Sequence, residues 1–194
     1  MKNLIIFLIL IGFIACESRD EQNVQFLPEA VELNDRAVQL LSLSKEDSAL
    51  ILFDQAIKID ENYFIPHFNK IGVYLGEEDF DKALYESEMV IKKIEDSPES
   101  WFLAGLLNEH QGNEEKALIY YKTSVQIFTD RIEDGGIKAD INADKLNRAL
   151  SKKFLGDQSY VEDFNELEKV DNYKGLVEQF KVKSREEILK DFFN

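Results

Sequence analysis

The sequence PESWFLAGLLNEHQGNEEKALIYYKTSVQIFTDR, residues 98–131, decides the fold. Its apolar residues recur at helical spacing on both sides of Gly112, so we expect two helices joined by a turn. Small residues at Gly105 and Ala117 let the two helices approach closely, and the ring of Tyr121 fills the space beside them. A pair this small leaves an apolar face in water, so neighbouring pairs must stack on it.

Two upstream segments repeat this pattern at a constant distance. The segments SALILFDQAI, KALYESEMVI and KALIYYKTSV align with their alanines at Ala49, Ala83 and Ala117, which are spaced by 34 residues both times. A fixed period of this length is typical of stacked helical repeats. The period defines three units, at 30–63, 64–97 and 98–131.

The unit resembles the tetratricopeptide repeat, whose pattern has a large residue at position 4, small residues at 8 and 27, glycine near 15, alanine at 20 and an aromatic at 24. The third unit matches this pattern with Trp101, Gly105, Gly112, Ala117, Tyr121 and Ser124. The second unit departs from it, since Ser87 and Val90 occupy positions 24 and 27 and Gly72 reaches position 8 only with a one-residue slip. We therefore expect its second helix to pack less regularly. The resemblance implies an all-α solenoid of antiparallel helix pairs.

The composition excludes several classes of function. The chain has 194 residues, of which 44% are apolar, and this is enough for a real core and too much for a disordered acidic tail. A formal charge of −15 argues against binding to a nucleic-acid backbone, which needs clustered lysine and arginine. A single cysteine excludes an internal disulfide and a multi-cysteine metal cluster.

Residues 1–15 differ in composition from the rest of the chain. Lys2 carries the only charge, and the apolar run from Leu4 to Ala15 is shorter than the roughly 20 residues that span a bilayer. A positive start, a short apolar stretch and small residues at its end are typical of a secretory signal. The alternative is a buried first helix, which the lack of any polar face disfavours.

The end of this run, Phe13-Ile14-Ala15-Cys16, resembles the lipobox of bacterial lipoproteins. The resemblance implies cleavage before Cys16, a diacylglycerol thioether on its sulfur and an acylated amino terminus. The alternative is an ordinary cleavage site with an incidental thiol. Three acyl chains would hold the protein at the membrane far more firmly than one. We therefore expect a lipid-anchored protein of a Gram-negative outer membrane, facing the periplasm or the cell surface.

A tether is expected at residues 16–29, before the first repeat, because the start of this segment is polar and aperiodic. Its acidic residues, Glu17, Asp20 and Glu21, also resemble a surface-export signal of some lipoproteins, with Arg19 interrupting it. A plain solvated linker is the alternative that we favour.

Residues 132–194 resemble a degenerate fourth pair followed by a cap. Gly135-Gly136 marks a loop in a break of the period at residues 129–141, and helices are expected at about 142–155 and 160–170. The sequence Ser184-Arg185-Glu186-Glu187 is a capping box that predicts a last helix through Phe193. An open repeat array needs a lid, so this helix is interpreted as the terminal cap. The sequence does not decide the structure of residues 173–182.

Motifs for catalysis are absent from the sequence. It has no glycine-rich phosphate loop, nucleophile elbow or paired-histidine zinc motif, so we expect no enzyme activity, no metal and no cofactor besides the lipid at Cys16. His67 and His110 fall in different units and are interpreted as ordinary helix-surface residues. The alternative is an enzyme with a cryptic site in residues 132–194.

In tetratricopeptide arrays the first helices of the pairs line a concave groove. The resemblance places the partner-binding side chains of that groove at Asn34, Val38, Leu41, Asn69, Val73, Phe102, Leu106 and Glu109. Most of these are apolar, and only Asn69 and the adjacent Lys70 suit the clamp with which some family members bind a terminal carboxylate. An apolar helix or strand is therefore the more plausible ligand. The alternative is that the chain's own C-terminal helix fills the groove.

These observations favour a scaffold that binds a protein or peptide partner at the cell envelope, with neither a nucleic acid nor a small-molecule substrate. The alternative is an accessory structural lipoprotein of a larger assembly, secretion or glycan-uptake machine. In that case the acidic convex face would make the contacts, and the association would depend strongly on salt.

Overall fold

The computed structural model of the chain describes residues 25–135 and 141–193, which contain ten helices and no strand. The helices are α1 (Pro28–Ser42), α2 (Glu46–Ile59), α3 (Ile65–Gly76), α4 (Phe80–Lys93), α5 (Pro98–His110), α6 (Glu114–Glu133), α7 (Ile141–Leu155), α8 (Tyr160–Leu167), α9 (Asp171–Val182) and α10 (Arg185–Phe193). The expected all-α fold is confirmed. The signal peptide, Cys16 and the tether up to residue 24 lie outside the described residues.

The described residues form two compact units, which divide between Asp96 and Ser97. In the unit of residues 25–96, α1 packs on α2, α2 on α3 and α3 on α4. In the unit of residues 97–193, α5 packs on α6, α6 on α7 and α7 on α8. Short turns between packed neighbours make successive helices antiparallel. Each unit therefore has the consecutive helix pairs of a tetratricopeptide-like architecture, with α1, α3, α5 and α7 as the first helices of the pairs.

The 34-residue period is visible in the backbone as well as in the sequence. The second helices α2, α4 and α6 begin 34 residues apart. The turn before each one contains a residue in the left-handed region, namely Ser44 (φ 53°), Glu78 (φ 61°) and Gly112 (φ 79°). The next amide donates to the carbonyl five residues earlier, in the bonds Lys45–Leu40, Asp79–Tyr74 and Asn113–Asn108, at 2.8–3.1 Å. These are the bonds of a Schellman turn, which ends a helix by satisfying its last carbonyls.

The core of each pair lies between its two helices. In the first pair, Ala37 and Ala49 pack against the fully buried ring of Phe53. In the third pair, Gly105 faces Tyr121 so closely that an added Cβ would lie 2.5 Å from the ring. The second pair does not pack irregularly as expected, because α4 is a continuous helix in which Ser87 and Val90 are fully buried.

The region after the repeats differs from expectation at three boundaries. Helix α6 continues to Glu133, so the start of the expected break at 129–141 is helical. The second helix of the fourth pair, α8, ends at Leu167, three residues before the expected end. The undecided segment 173–182 lies within helix α9. Among the described residues, no helix has the length and apolar character to cross a membrane.

The fourth pair and the last helix agree with their sequence signals. The turn between α7 and α8 has Gly156 in the left-handed region, and the amide of Asp157 donates to the carbonyl of Lys152 at 2.9 Å, so this turn repeats the geometry of the first three. At the start of α10 the backbone amide of Ser184 donates to Glu187 Oε2 at 2.7 Å. The amide of Glu187 in turn donates to Ser184 Oγ at 3.1 Å. These reciprocal bonds are the predicted capping box.

Candidate partner-binding surfaces

The first-helix surface of residues 25–96 holds five of the expected partner-binding residues. Val38 on α1 is 45% exposed and Leu41 is half-buried, so both are accessible. Asn34 and Val73 are buried, contrary to the expectation that both are exposed. On α3, Asn69 is half-buried and donates through Nδ2 to Asn34 Oδ1 at 2.8 Å. This amide pair links α1 to α3 and leaves Val38 and Leu41 as the apolar part of the surface.

The residues that suited a carboxylate clamp are engaged inside the unit. Asn69 is bonded to Asn34, and the Lys70 ammonium contacts Glu86 Oε1 at 2.5 Å and Asp54 Oδ1 at 2.7 Å. Burial lowers the pKa of Lys70, but the hydrogen bonds and charges of the two carboxylates outweigh it and raise the pKa. Lys70 is therefore a structural cation here and is not presented to a ligand.

His67 is buried, so its interpretation as a helix-surface residue is wrong. Its Nδ1 lies 2.6 Å from Glu86 Oε2, and Glu86 is itself buried between His67 and Lys70. The other ring nitrogen, Nε2, is buried without a hydrogen-bond partner. The cluster of His67, Lys70 and Glu86 joins α3 to α4 through charged groups, since ions that are buried must be paired. The sequence gave no sign of it, because its members are spaced by tertiary contacts.

The first-helix surface of residues 97–193 holds the other three expected residues. Phe102 is 5% exposed and Leu106 is 2% exposed, so the expectation that both face a partner is wrong. The ring of Phe102 lies 5.7 Å from that of Tyr121 and 5.5 Å from that of Phe154, between ring centroids. Glu109 is half-buried and accepts a hydrogen bond from the Tyr121 hydroxyl at 2.7 Å. Burial and this bond raise the pKa of Tyr121.

Helix α10 covers this surface, which answers the question that the sequence left open. It packs against α5, and the guanidinium of Arg185 lies 2.8 Å from Glu109 Oε2. At the other end of α10, the Phe193 ring stacks on the imidazole of His110, with 4.0 Å between centroids. The C-terminal helix therefore occupies the first-helix surface of the third pair. Sequence reasoning located α10 by its capping box, but it missed Arg185 and Phe193 as the contacting residues.

Buried charges also connect α5, α6 and α7. Arg131 of α6 is bonded to Glu99 of α5 and, at 2.6 Å, to Asp144 of α7. All three side chains are largely buried, and two carboxylates share a single guanidinium. Burial raises the pKa of Glu99 above its usual range despite the attraction of Arg131, and the neighbouring Asp144 charge adds to the rise.

A second accessible feature lies on the outer side of the second helices. In the unit of residues 25–96, Ile51 on α2 is 58% exposed and Tyr85 on α4 is 60% exposed. In the other unit, Ile119 on α6 is 62% exposed. These residues are spaced by 34, so each stands two residues after the repeat alanine of its own pair. An exposed large apolar residue at the same position in three pairs is a surface feature that scattered exposure does not explain.

No group of three or more histidine, cysteine, aspartate or glutamate side chains within 25–135 and 141–193 is arranged to hold a metal ion. The geometry that remains is that of two surfaces for macromolecular contact. One is the first-helix surface, open at Val38 and Leu41 and covered by α10 at Glu109 and His110. The other is the row on the second helices.

Comparison with known proteins gives one relative and no family assignment. The chain matches no family model. Over 129 residues it is 28% identical to a tetratricopeptide repeat and J domain-containing co-chaperone, DNJ1, of the fungus Cryptococcus neoformans var. grubii. The match covers 62% of this chain and 24% of the co-chaperone, so the chain spans about a quarter of the length of that relative.

The fold and this relative together define the class of the chain. It is a helical-repeat protein of the tetratricopeptide type, and the repeat signature of its sequence is present in its backbone turns. Proteins of this class bind other proteins. The lipid anchor, the compartment and the identity of a partner are matters for the proposals that follow.

Proposed function

We propose that the chain is a scaffold that binds a protein or peptide partner through the first-helix surface of residues 25–96. It acts at the envelope of a Gram-negative bacterium, is held at the outer membrane by lipid on Cys16, and has no catalytic activity, cofactor, nucleic-acid ligand or small-molecule substrate of its own. The observation that carries the binding proposal is the open apolar part of that surface, where Val38 and Leu41 are accessible beside the Asn34–Asn69 pair.

The chemistry of this surface favours an apolar ligand over a terminal carboxylate. The amide of Asn69 is bonded to Asn34, and the Lys70 ammonium is held by two carboxylates, so no cation of this pair is presented. An amphipathic helix or an extended apolar strand would bury Val38 and Leu41 and place its polar atoms at the rim.

A photo-cross-linking experiment tests the binding surface. A photoreactive residue at position 38 in the full chain should cross-link to a specific protein in envelope extract. The same residue at position 182, where Val182 is an exposed apolar residue of α9, is the matched control. The proposal fails if both positions capture the same proteins, or if Val38→Glu leaves the recovered partner unchanged.

The anchor has its own test. The supporting observation is the sequence Phe13-Ile14-Ala15-Cys16 after a short apolar run. Mass spectrometry of the mature amino terminus should find a peptide that begins at Cys16 and carries the mass of its acyl chains, and Cys16→Ser should move the protein out of the membrane fraction. A mature chain with a free Cys16 thiol contradicts the proposal.

A second candidate is an accessory lipoprotein of a larger envelope machine, with contacts through the outer face of the second helices. It is favoured by Ile51 and Tyr85, which are exposed on an acidic chain. Ile51→Ser combined with Tyr85→Ser should then abolish an association that Val38→Glu leaves intact. That association should also weaken steeply as ionic strength rises.

A further inference from the structure

The contacts of α10 define the chemistry that the first-helix surface of the third pair accepts. At one end of the helix a guanidinium pairs with a carboxylate, because Arg185 contacts Glu109 at 2.8 Å and lies over the rings of Tyr121 and Phe154 at 5.9 and 5.8 Å. At the other end an aromatic ring stacks on an imidazole, because Phe193 lies parallel to His110 at an interplanar angle of 18°. Between them, Ile188 and Phe192 are buried.

Helix α10 is a replaceable occupant rather than a core element. It has nine residues, and a helix of this length is not stable in water by itself. Within 97–193 it packs mainly on α5, whereas α5, α6 and α7 pack on one another through extensive aromatic contacts. The Nε of Arg185 is also buried without an acceptor, which makes its seat incompletely satisfied.

The connection before α10 is anchored independently of α10 itself. Lys153 of α7 donates through Nζ to the carbonyl of Phe180 at 2.8 Å and to that of Lys183 at 2.5 Å. These bonds hold the end of α9 in place, so α10 can leave its surface while α9 stays docked. A two-residue connection also keeps α10 at a high local concentration, which makes it an efficient competitor for its own surface.

We infer that the surface formed by Glu109, His110, Tyr121 and Phe154 is a second partner-binding site, closed by α10. Its ligand is a helical segment of another protein that carries an arginine near its amino end and an aromatic residue about two turns later. Such a segment reproduces the contacts of Arg185 and Phe193 and displaces α10. This inference rests on the proposed scaffold function and adds the class of ligand and the means of its control.

A peptide-binding assay tests the inference without knowledge of the natural partner. The probe is a fluorescent peptide of residues 183–193, added to the full chain and followed by anisotropy. Arg185→Ala combined with Phe193→Ala loosens the resident helix, so this variant should bind the probe at least tenfold more tightly than the unmodified chain. Arg36→Ala, which removes an exposed arginine of α1, is the matched control and should bind as the unmodified chain does.

The acceptor side is tested in the loosened variant. Adding Glu109→Gln should remove most of the gain in affinity, because the amide oxygen still accepts from the Tyr121 hydroxyl but no longer pairs with an arginine. A probe with alanine at positions 185 and 193 should fail to bind. Equal binding of the probe to loosened and unmodified chains overturns the inference, as does a loosened variant that forms dimers by exchanging α10.

Hydrogen exchange covers the case in which the loosened variant does not fold. In the unmodified chain, the amides of α10 should exchange much faster than those of α9. Equal protection of the two helices would mean that α10 does not open separately, and the inference would be wrong. The cross-linking result at position 38 is independent of both measurements, so failure here leaves the proposed scaffold function standing.

Discussion

The pairs at 64–97 and 98–131 have the same backbone period and hold their helices together by different means. Each turns through a left-handed residue at the same repeat position, Glu78 in one and Gly112 in the other. The first of these pairs buries the ion cluster of Glu86 between α3 and α4, whereas the second buries the ring of Tyr121 against Gly105. The period is therefore a property of the helix lengths and turns, and the interior of a pair can be polar or aromatic.

This difference explains which small residues are required. Gly105 is needed because the Tyr121 ring occupies the space where a Cβ would be. Gly72 matches the same repeat position only with a slip, and nothing lies within 4 Å of an added Cβ there. Position 24 of that pair is Ser87, whose hydroxyl donates to the carbonyl of Ala83 at 2.9 Å, so no aromatic ring demands a glycine opposite.

The largest effect is expected from the ion cluster. Glu86→Ala leaves Lys70 and His67 buried without their shared carboxylate, and we expect a loss of about 3 kcal/mol in the free energy of unfolding, measured by urea denaturation. Asp54→Ala removes the other, exposed carboxylate of Lys70 and should cost at most about 1 kcal/mol. Equal losses in the two variants would mean that the cluster does not hold α3 to α4.

The two glycines should respond to alanine with opposite signs. Gly105→Ala forces the buried Tyr121 ring to move, and we expect it to lower the free energy of unfolding by about 2 kcal/mol after the gain in helix propensity is included. Gly72→Ala meets open space and should raise stability by up to about 1 kcal/mol. Thermal denaturation of both variants checks this, and a destabilised Gly72→Ala would show that the second pair is packed like the third.

The sequence predicted the parts of the fold that depend on local spacing. Alanines 34 residues apart located the pairs, and Gly112 with the Ser184 capping box located helix ends, because turn chemistry is written in neighbouring residues. The buried cluster of His67 and Glu86 was not predictable, since its members belong to different helices. The same reason hid the contact of Arg185 with Glu109, which brings residues together that are far apart in the chain. Exposure of Phe102 was predicted wrongly because a family position does not reveal what covers it.

The turns offer a smaller and more general test. Gly112→Ser places a side chain in a left-handed conformation, and we expect a loss of about 1 kcal/mol in the free energy of unfolding. Ser44→Gly relieves the same conformation in the first pair and should gain roughly 0.5 kcal/mol, because glycine also costs entropy on folding. Chemical denaturation of the two variants in parallel gives both signs. The account of a shared turn is wrong if Ser44→Gly destabilises the chain.

The last test compares how the two regions balance buried charge. Glu86 contacts Lys70 and His67, whereas Glu99 shares Arg131 with Asp144, so burial raises the pKa of Glu99. The folded state then keeps the Glu99 proton to a higher pH than the unfolded state, in which the pKa is near 4.5. Its contribution to stability is present below that value and is lost as pH rises through the folded-state pKa.

Glu99→Gln removes this titration and keeps an acceptor for Arg131. The stability of the variant relative to the unmodified chain should therefore increase as pH rises from 4.5 towards neutrality, measured by urea denaturation at several pH values. Glu178→Gln, an exposed change on α9, is the matched control and should show a smaller pH dependence. A relative stability of Glu99→Gln that falls as pH rises would mean that Arg131 stabilises the ionised form of Glu99 more than burial opposes it. The charge balance of the two regions would then be alike.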